Sequence, residues 1–112
     1  MRYASLHNAT LEKANFERTH VSDADMSFVK LSNTDLMYTD FIRVNFTGAD
    51  LSNSDFTHAF IFGSNLSYAK LTNTIFYQSE MALSTFSFSD LTESNLIQTD
   101  LMSIYLELIQ PI

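Results

Sequence analysis

Thirteen carboxylates, three histidines and an abundance of serine and threonine are the side chains of this 112-residue chain that could do chemistry; cysteine is absent. Paired carboxylates could serve as general acid and base, and His7, His20 and His58 could ligate a metal or activate a hydroxyl. The absence of Cys rules out disulfides, thiolate nucleophiles and Cys-ligated metals. All of this chemistry requires groups that converge, so the question passes to the elements that would position them.

Those elements are set by a period of five. Stepping in fives from Leu6 to Leu106 meets twenty-one residues, and every one is Leu, Phe, Met, Val or Ile. Two residues before these centres stands a small or β-branched residue, from Ala4, Ala9 and Ala14 through to Ser94 and Thr99. A period of five matches neither the 3.6 of a helix nor the 2 of a long strand. A short extended piece instead points the centre and its small companion inward, while the other three residues turn a corner in water. Four corners close a square, so one coil takes about twenty residues and positions twenty apart should be alike. Leu11, Leu31, Leu51, Leu71 and Leu91 do form an all-Leu column, and Phe16, Leu36, Phe56, Phe76 and Leu96 an aromatic-rich one. Asn33, Asn53 and Asn73 form a third, whose amides are expected to bond along the stack.

The chain therefore reads as all-β, a four-sided β-helix solenoid of about five twenty-residue coils over residues 1–103. Residues 104–112 read as a C-terminal cap or dimerisation segment, because Ile104 is too large for the small slot and Pro111 falls where a centre belongs. With two Gly and one Pro in the chain, Gly is not what turns it. On such a coil the candidate chemistry disperses. His7 and His20 fall on different sides and His58 lies coils away, so neither a metal cluster nor a His-based dyad assembles. Hydroxyls occupy the interior slot or the residue after the centre, where they pack and bond turns. The sequons at Asn8, Asn45 and Asn65 are written by the repeat itself. No catalytic, cofactor or metal residue is expected, and the reading is a non-catalytic module or scaffold that binds protein partners.

The fragments Ala49-Asp50-Leu51-Ser52-Asn53, Ala14-Asn15-Phe16-Glu17-Arg18 and Ser94-Asn95-Leu96-Ile97-Gln98 resemble the motif of the pentapeptide-repeat family, and the resemblance covers residues 4–108. It implies a right-handed quadrilateral β-helix. It also implies an alternative function, because some members bind DNA gyrase as acidic mimics of DNA, inhibiting it or protecting it from quinolones. The partner would then be a basic groove such as that of DNA gyrase. His20, Lys30, Phe60, Lys70, Ile75 and Glu80 depart from the Asp or Asn that the motif places before the centre, and they individualise the surface.

Any function must lie in the outward residues. A net charge of −7 disfavours direct nucleic-acid binding and favours a basic partner. Asp35 and Asp55 stack on one face and Asp40, Glu80 and Asp100 on the next; beyond Lys70 five acids and no base remain. The column Thr10, Lys30, Asp50, Lys70 and Asp90 alternates in sign and is expected to pair along the stack. Ile42, Phe62 and Met102 form one outward apolar column with Ala82, and Phe28, Tyr68, Phe88 and Leu108 form another. Ile104, Tyr105, Leu108 and Ile109 are the candidate end for a homodimer. The pattern starts at Ala4 without a cap, so a further segment, another domain or a second subunit is expected over that edge. No apolar run is long enough to span a membrane and the N-terminus carries no basic-then-apolar signal, which makes a cytoplasmic location the expectation.

Overall fold

In the computed structural model, which describes residues 1–102, every described pairing is parallel and twenty residues apart. Two of the pairings join extended strands, which are β1 (His20–Ser22), β2 (Asp40–Ile42) and β3 (Phe60–Phe62) in the order β1-β2-β3. The rest are single-residue bridges such as Asp25 to Asn45, Lys30 to Asp50 and Asp55 to Ile75. The result is a four-sided solenoid, wound right-handed as parallel connections are. Its sides are named here by their centres: side 1 by Leu6, Met26, Phe46, Leu66 and Phe86; side 2 by the all-Leu column; side 3 by Phe16, Leu36, Phe56, Phe76 and Leu96; side 4 by Val21, Phe41, Ile61, Met81 and Leu101.

All centres from Phe16 to Leu91 are buried, and so are the small companions from Ala24 to Ser94. Phenylalanines from three sides meet in the interior: Phe41 packs edge-on to Phe46 at 5.0 Å between ring centres, and Phe56 stacks on Phe76 at 5.0 Å. Burying a side chain of this size is worth roughly 1.5–3 kcal/mol, so the centres supply the drive to coil.

What fixes the coil in place is where its backbone N–H groups go. Within each five-residue unit the centre N–H donates to the next coil, as Leu31 does to Asp50 O at 2.8 Å. The N–H two residues on does the same, as from Asn33 to Ser52 O at 2.9 Å. The N–H before the centre donates back to the previous coil, as from Asp50 to Val29 O at 2.9 Å. The small residue's N–H closes its own turn, as from Ala49 to Phe46 O at 2.9 Å. Outside the strands of side 4, where Ser22 N–H bonds to Met1 O at 2.9 Å, one donor is left over, on the residue after the centre. An Asp or Asn before the centre captures it: in ten units Oδ1 accepts this N–H at 2.7–3.1 Å, as Asp50 does from Ser52 and Asn65 from Ser67. The family-like Ala-Asp/Asn-Leu pattern is thus a small residue that fits inside, a side chain that caps the spare donor, and an apolar centre.

Each corner costs backbone strain. The residue two after the centre has φ between +52° and +66°, and eighteen of these residues are not glycine. Asn and Asp tolerate this region, and none of the eighteen is β-branched, the class that tolerates it least. That is the role of Asn33, Asn53 and Asn73. Contrary to the expectation of an amide ladder, no amide-to-amide bond joins them among the described residues, because they serve the corner rather than each other. Glycine at one corner makes room for a neighbour: the Phe28 ring leans over Gly48, with its Cε1 2.5 Å from where a β-carbon would stand, so any side chain there would push the ring aside.

Buried hydroxyls complete the account. In three turns without their own closing bond a serine of the next coil supplies it, the first being Ser54, whose Oγ accepts from Thr34 N–H at 3.2 Å and donates to Leu31 O at 2.8 Å. Ser64 serves Val44 and Phe41 in the same way, and Ser84 serves Ser64 and Ile61. At the corner between sides 4 and 1, Asp23 accepts from Arg43 Nε at 2.6 Å and NH2 at 2.9 Å, with Arg2 Nε 3.6 Å away, tying three coils together. Arg43's hydrogen bond holds the Asp23 carboxyl below its ordinary range, outweighing a smaller opposing desolvation.

Two consequences can be measured. Ser54→Ala strands a buried N–H and a buried C=O, so chemical denaturation is expected to show a loss of roughly 1–3 kcal/mol, whereas no loss would refute the turn clip. The Asp23 contribution is fully present above the ordinary aspartate pKa and is lost as pH falls through the depressed folded value. Arg43→Met should therefore flatten the acid limb of the melting-temperature profile, and an unchanged limb would mean the pair contributes nothing.

Candidate interaction surface

The outward residues form columns whose backbone spacing is set by the coil, so each column is a ladder of side chains roughly 4.8 Å apart. At the corner between sides 1 and 2 the ladder is Asn8, Phe28, Gly48, Tyr68 and Phe88, with His7 beside its first member. Phe28 is 53% and Tyr68 63% exposed, and Tyr68 stacks on Phe88 with centres 5.0 Å apart at 11°. His7 meets the Phe28 ring edge-on at 5.8 Å while its Nδ1 lies 2.7 Å from Ser27 Oγ. This is one of the two apolar columns expected from the sequence, short of Leu108, which lies outside the described residues.

The other column, on side 4, is less open than expected. Ile42, Phe62 and Ala82 are half-buried, and Met102 stands out at 67% exposed. Ile42 and Phe62 lie at the ends of β2 and β3, and Phe60 and Phe62 place their rings parallel 6.0 Å apart, each covering part of the other.

The carboxylates are largely committed. Asp35, Asp55 and Asp100 cap the N–H groups of Met37, Thr57 and Met102, so these members of the acidic columns hold turns as well as face water. Asp40 lies 3.2 Å from His20 Nδ1. Glu80 pairs in register with Asp100 and makes no side-chain hydrogen bond among the described residues. The alternating column on side 2 does not pair as expected: no ion pair joins Lys30, Asp50, Lys70 and Asp90 among the described residues. Asp50 and Asp90 instead turn Oδ1 onto Ser52 and Thr92, at 2.6 and 2.5 Å from the hydroxyls. The Thr92 hydroxyl is the main cause that lowers the Asp90 pKa, and the field of Lys70 is a minor one. Asp25 is lowered in the same way by Ser27.

The corner between sides 3 and 4 was not singled out in the sequence. Arg18 sits over the Tyr38 ring at 4.8 Å, Tyr38 stacks on His58 at 4.9 Å, and Gln78 donates to Gln98 at 2.7 Å. The signal was available, since these five residues are spaced by twenty at the corner position. No group of three or more His, Asp or Glu side chains converges as a metal site among the described residues. His7, His20 and His58 lie apart, each with its own neighbour. Ile104, Tyr105 and Ile109, the remaining candidate dimer residues, and the 104–112 segment lie outside the described residues.

No curated protein sequence matches the chain. Among solved structures, the pentapeptide repeat protein Rfr23 from the cyanobacterium Cyanothece 51142 superposes with a TM-score of 0.95 at 20% identity, over 97% of this chain and 88% of that one. A pentapeptide repeat protein from the Arabidopsis thaliana thylakoid lumen gives 0.70 at 18% identity, over 92% and 68%. HetL of Nostoc sp. strain PCC 7120, a pentapeptide repeat protein involved in heterocyst differentiation regulation, gives 0.62 at 18% identity, over 82% and 41%. At these identities the likeness establishes the fold alone. The family model for pentapeptide repeats matches residues 1–36, 22–61, 39–78 and 64–104. With its period, its capping Asp and Asn residues and its twenty-residue coil, this chain belongs to the pentapeptide-repeat family.

Proposed function

We propose that the chain is a non-catalytic module that binds protein partners through the outside of its coils. The observation that carries this reading is the aromatic column of exposed Phe28 and Tyr68, the latter stacked on half-buried Phe88, on a frame whose interior is filled by its own side chains. The corner backbone needs no aromatic there, since Asn, Lys and Arg hold the same conformation elsewhere. Exposed rings on such a frame fit the aromatic anchors that dominate protein interfaces.

An acidic mimic of DNA that binds gyrase is the second reading, favoured by the net charge of −7. Its magnitudes are small. Five coils span about 24 Å at ~4.8 Å each, over which duplex DNA carries roughly 14 charges. The thirteen acids here are offset by six bases, and many of their carboxylates are turned onto the chain's own N–H and hydroxyl groups.

One experiment separates the readings. Immobilised wild type and Tyr68→Ser/Phe88→Ser are compared by quantitative mass spectrometry of captured proteins, with supercoiling by DNA gyrase assayed in parallel. A partner depleted at least several-fold by the variant, with gyrase unaffected by either protein, is the expected result. Identical partners for both proteins would overturn the ladder, and gyrase inhibition that survives the substitutions would favour the mimic.

A further inference from the structure

Ile75 breaks the local rule of the repeat twice. It replaces the Asp or Asn that would cap the N–H of Tyr77, and that N–H has no acceptor among the described residues. It also places apolar surface in water, being 38% exposed. Lys30 and Lys70 give up the cap as well, but they put a charge in solvent, where it is well hydrated. Exceptions to local consistency with no structural gain mark functional positions.

The neighbours of Ile75 extend the exception. Tyr77 flanks the same centre on side 3 and is 36% exposed; Ile97, one coil further, is 61% exposed. The three form a triangle with sides of about 5 and 7 Å, from the coil rise and the two-residue strand step. Around it lie Asp55, paired in register with Ile75 from the coil before, Glu80 and Asp100 beyond the next corner, and Glu93 at the corner before Asn95. None of these four carboxylates has an Arg or Lys within ion-pairing distance among the described residues. Beyond Lys70 the chain contains no Lys or Arg at all.

We infer that side 3 of the last two coils is a docking site for a basic segment of another protein, one that presents two apolar side chains flanked by Lys or Arg. An amphipathic helix has this form, because apolar residues at i and i+4 stand 5–6 Å apart and match the triangle. The apolar centre supplies the binding energy and the acidic rim selects the charge. The assignment rests on the module reading but uses a different face from the Tyr68–Phe88 ladder.

The test uses a fluorescein-labelled helical Leu/Lys peptide, with a Leu/Glu peptide of the same pattern as control, in fluorescence polarisation at physiological salt. The variant is Ile75→Asp/Ile97→Asn, which restores the missing cap and should melt no lower than wild type. It is also more negative than wild type, so a purely electrostatic attraction would bind the Leu/Lys peptide more tightly. The expected result is binding weakened by about tenfold or more, with no binding of the Leu/Glu peptide. Equal or tighter binding by the variant overturns the site, as does failure of the wild type to bind the Leu/Lys peptide. A wild-type dimer that Ile75→Asp dissociates would assign the face to a second copy and overturn it too. None of these outcomes touches the Tyr68→Ser/Phe88→Ser comparison, so the module reading stands or falls separately.

Discussion

The architecture of this molecule depends on one accounting constraint: outside the strands of side 4, a five-residue unit has five backbone N–H donors, and the coil provides for four of them. Three cross to adjacent coils and one closes the turn. The fifth is satisfied by a side chain or by water, and the Asp or Asn before the centre exists to satisfy it. The parallel stacking, the twenty-residue coil and the motif itself follow from that division.

The magnitudes rank the parts. Each buried centre contributes roughly 1.5–3 kcal/mol, a single hydrogen bond about 1 kcal/mol net, and a non-glycine corner costs about 1–2 kcal/mol. The centres therefore decide that the chain coils, and caps and corners decide its register and which substitutions it tolerates. A cap can be given up at modest cost, and this is the freedom the surface exploits at Lys30, Lys70 and Ile75. On side 4 the extended pairing of β1, β2 and β3 carries the chain without Asp or Asn caps, which is why Phe60 can occupy the capping position there.

The interior was legible in the sequence because it is strictly periodic: centres, companions and the twenty-residue columns were all read from residue types. Side-chain partners were less so, because a carboxylate's choice between a neighbouring Lys and its own backbone is made over distances that spacing does not encode. Asp50 and Asp90 illustrate this, turning to Ser52 and Thr92 rather than to lysines in the same column. The asparagine column was visible and its cause misjudged, since positive φ, not amide bonding, selects Asn33, Asn53 and Asn73. The apolar columns were visible too, but exposure depends on what each ring covers; Phe60 and Phe62 shield each other while Tyr68 stays open. Ile75 was noted as a departure, and only with Tyr77 and Ile97 placed beside it did it become a surface.

The accounting is tested most directly by amide hydrogen exchange resolved by residue. Thr57, capped by Asp55, should exchange slowly together with Phe56 and His58, whose N–H groups bond to the next coil. One coil on, Tyr77 occupies the same position as Thr57 without a cap and should exchange far faster than Phe76 and Gln78 on either side. Protection of Tyr77 equal to that of its neighbours, or a protection pattern without a five-residue period, would contradict the account.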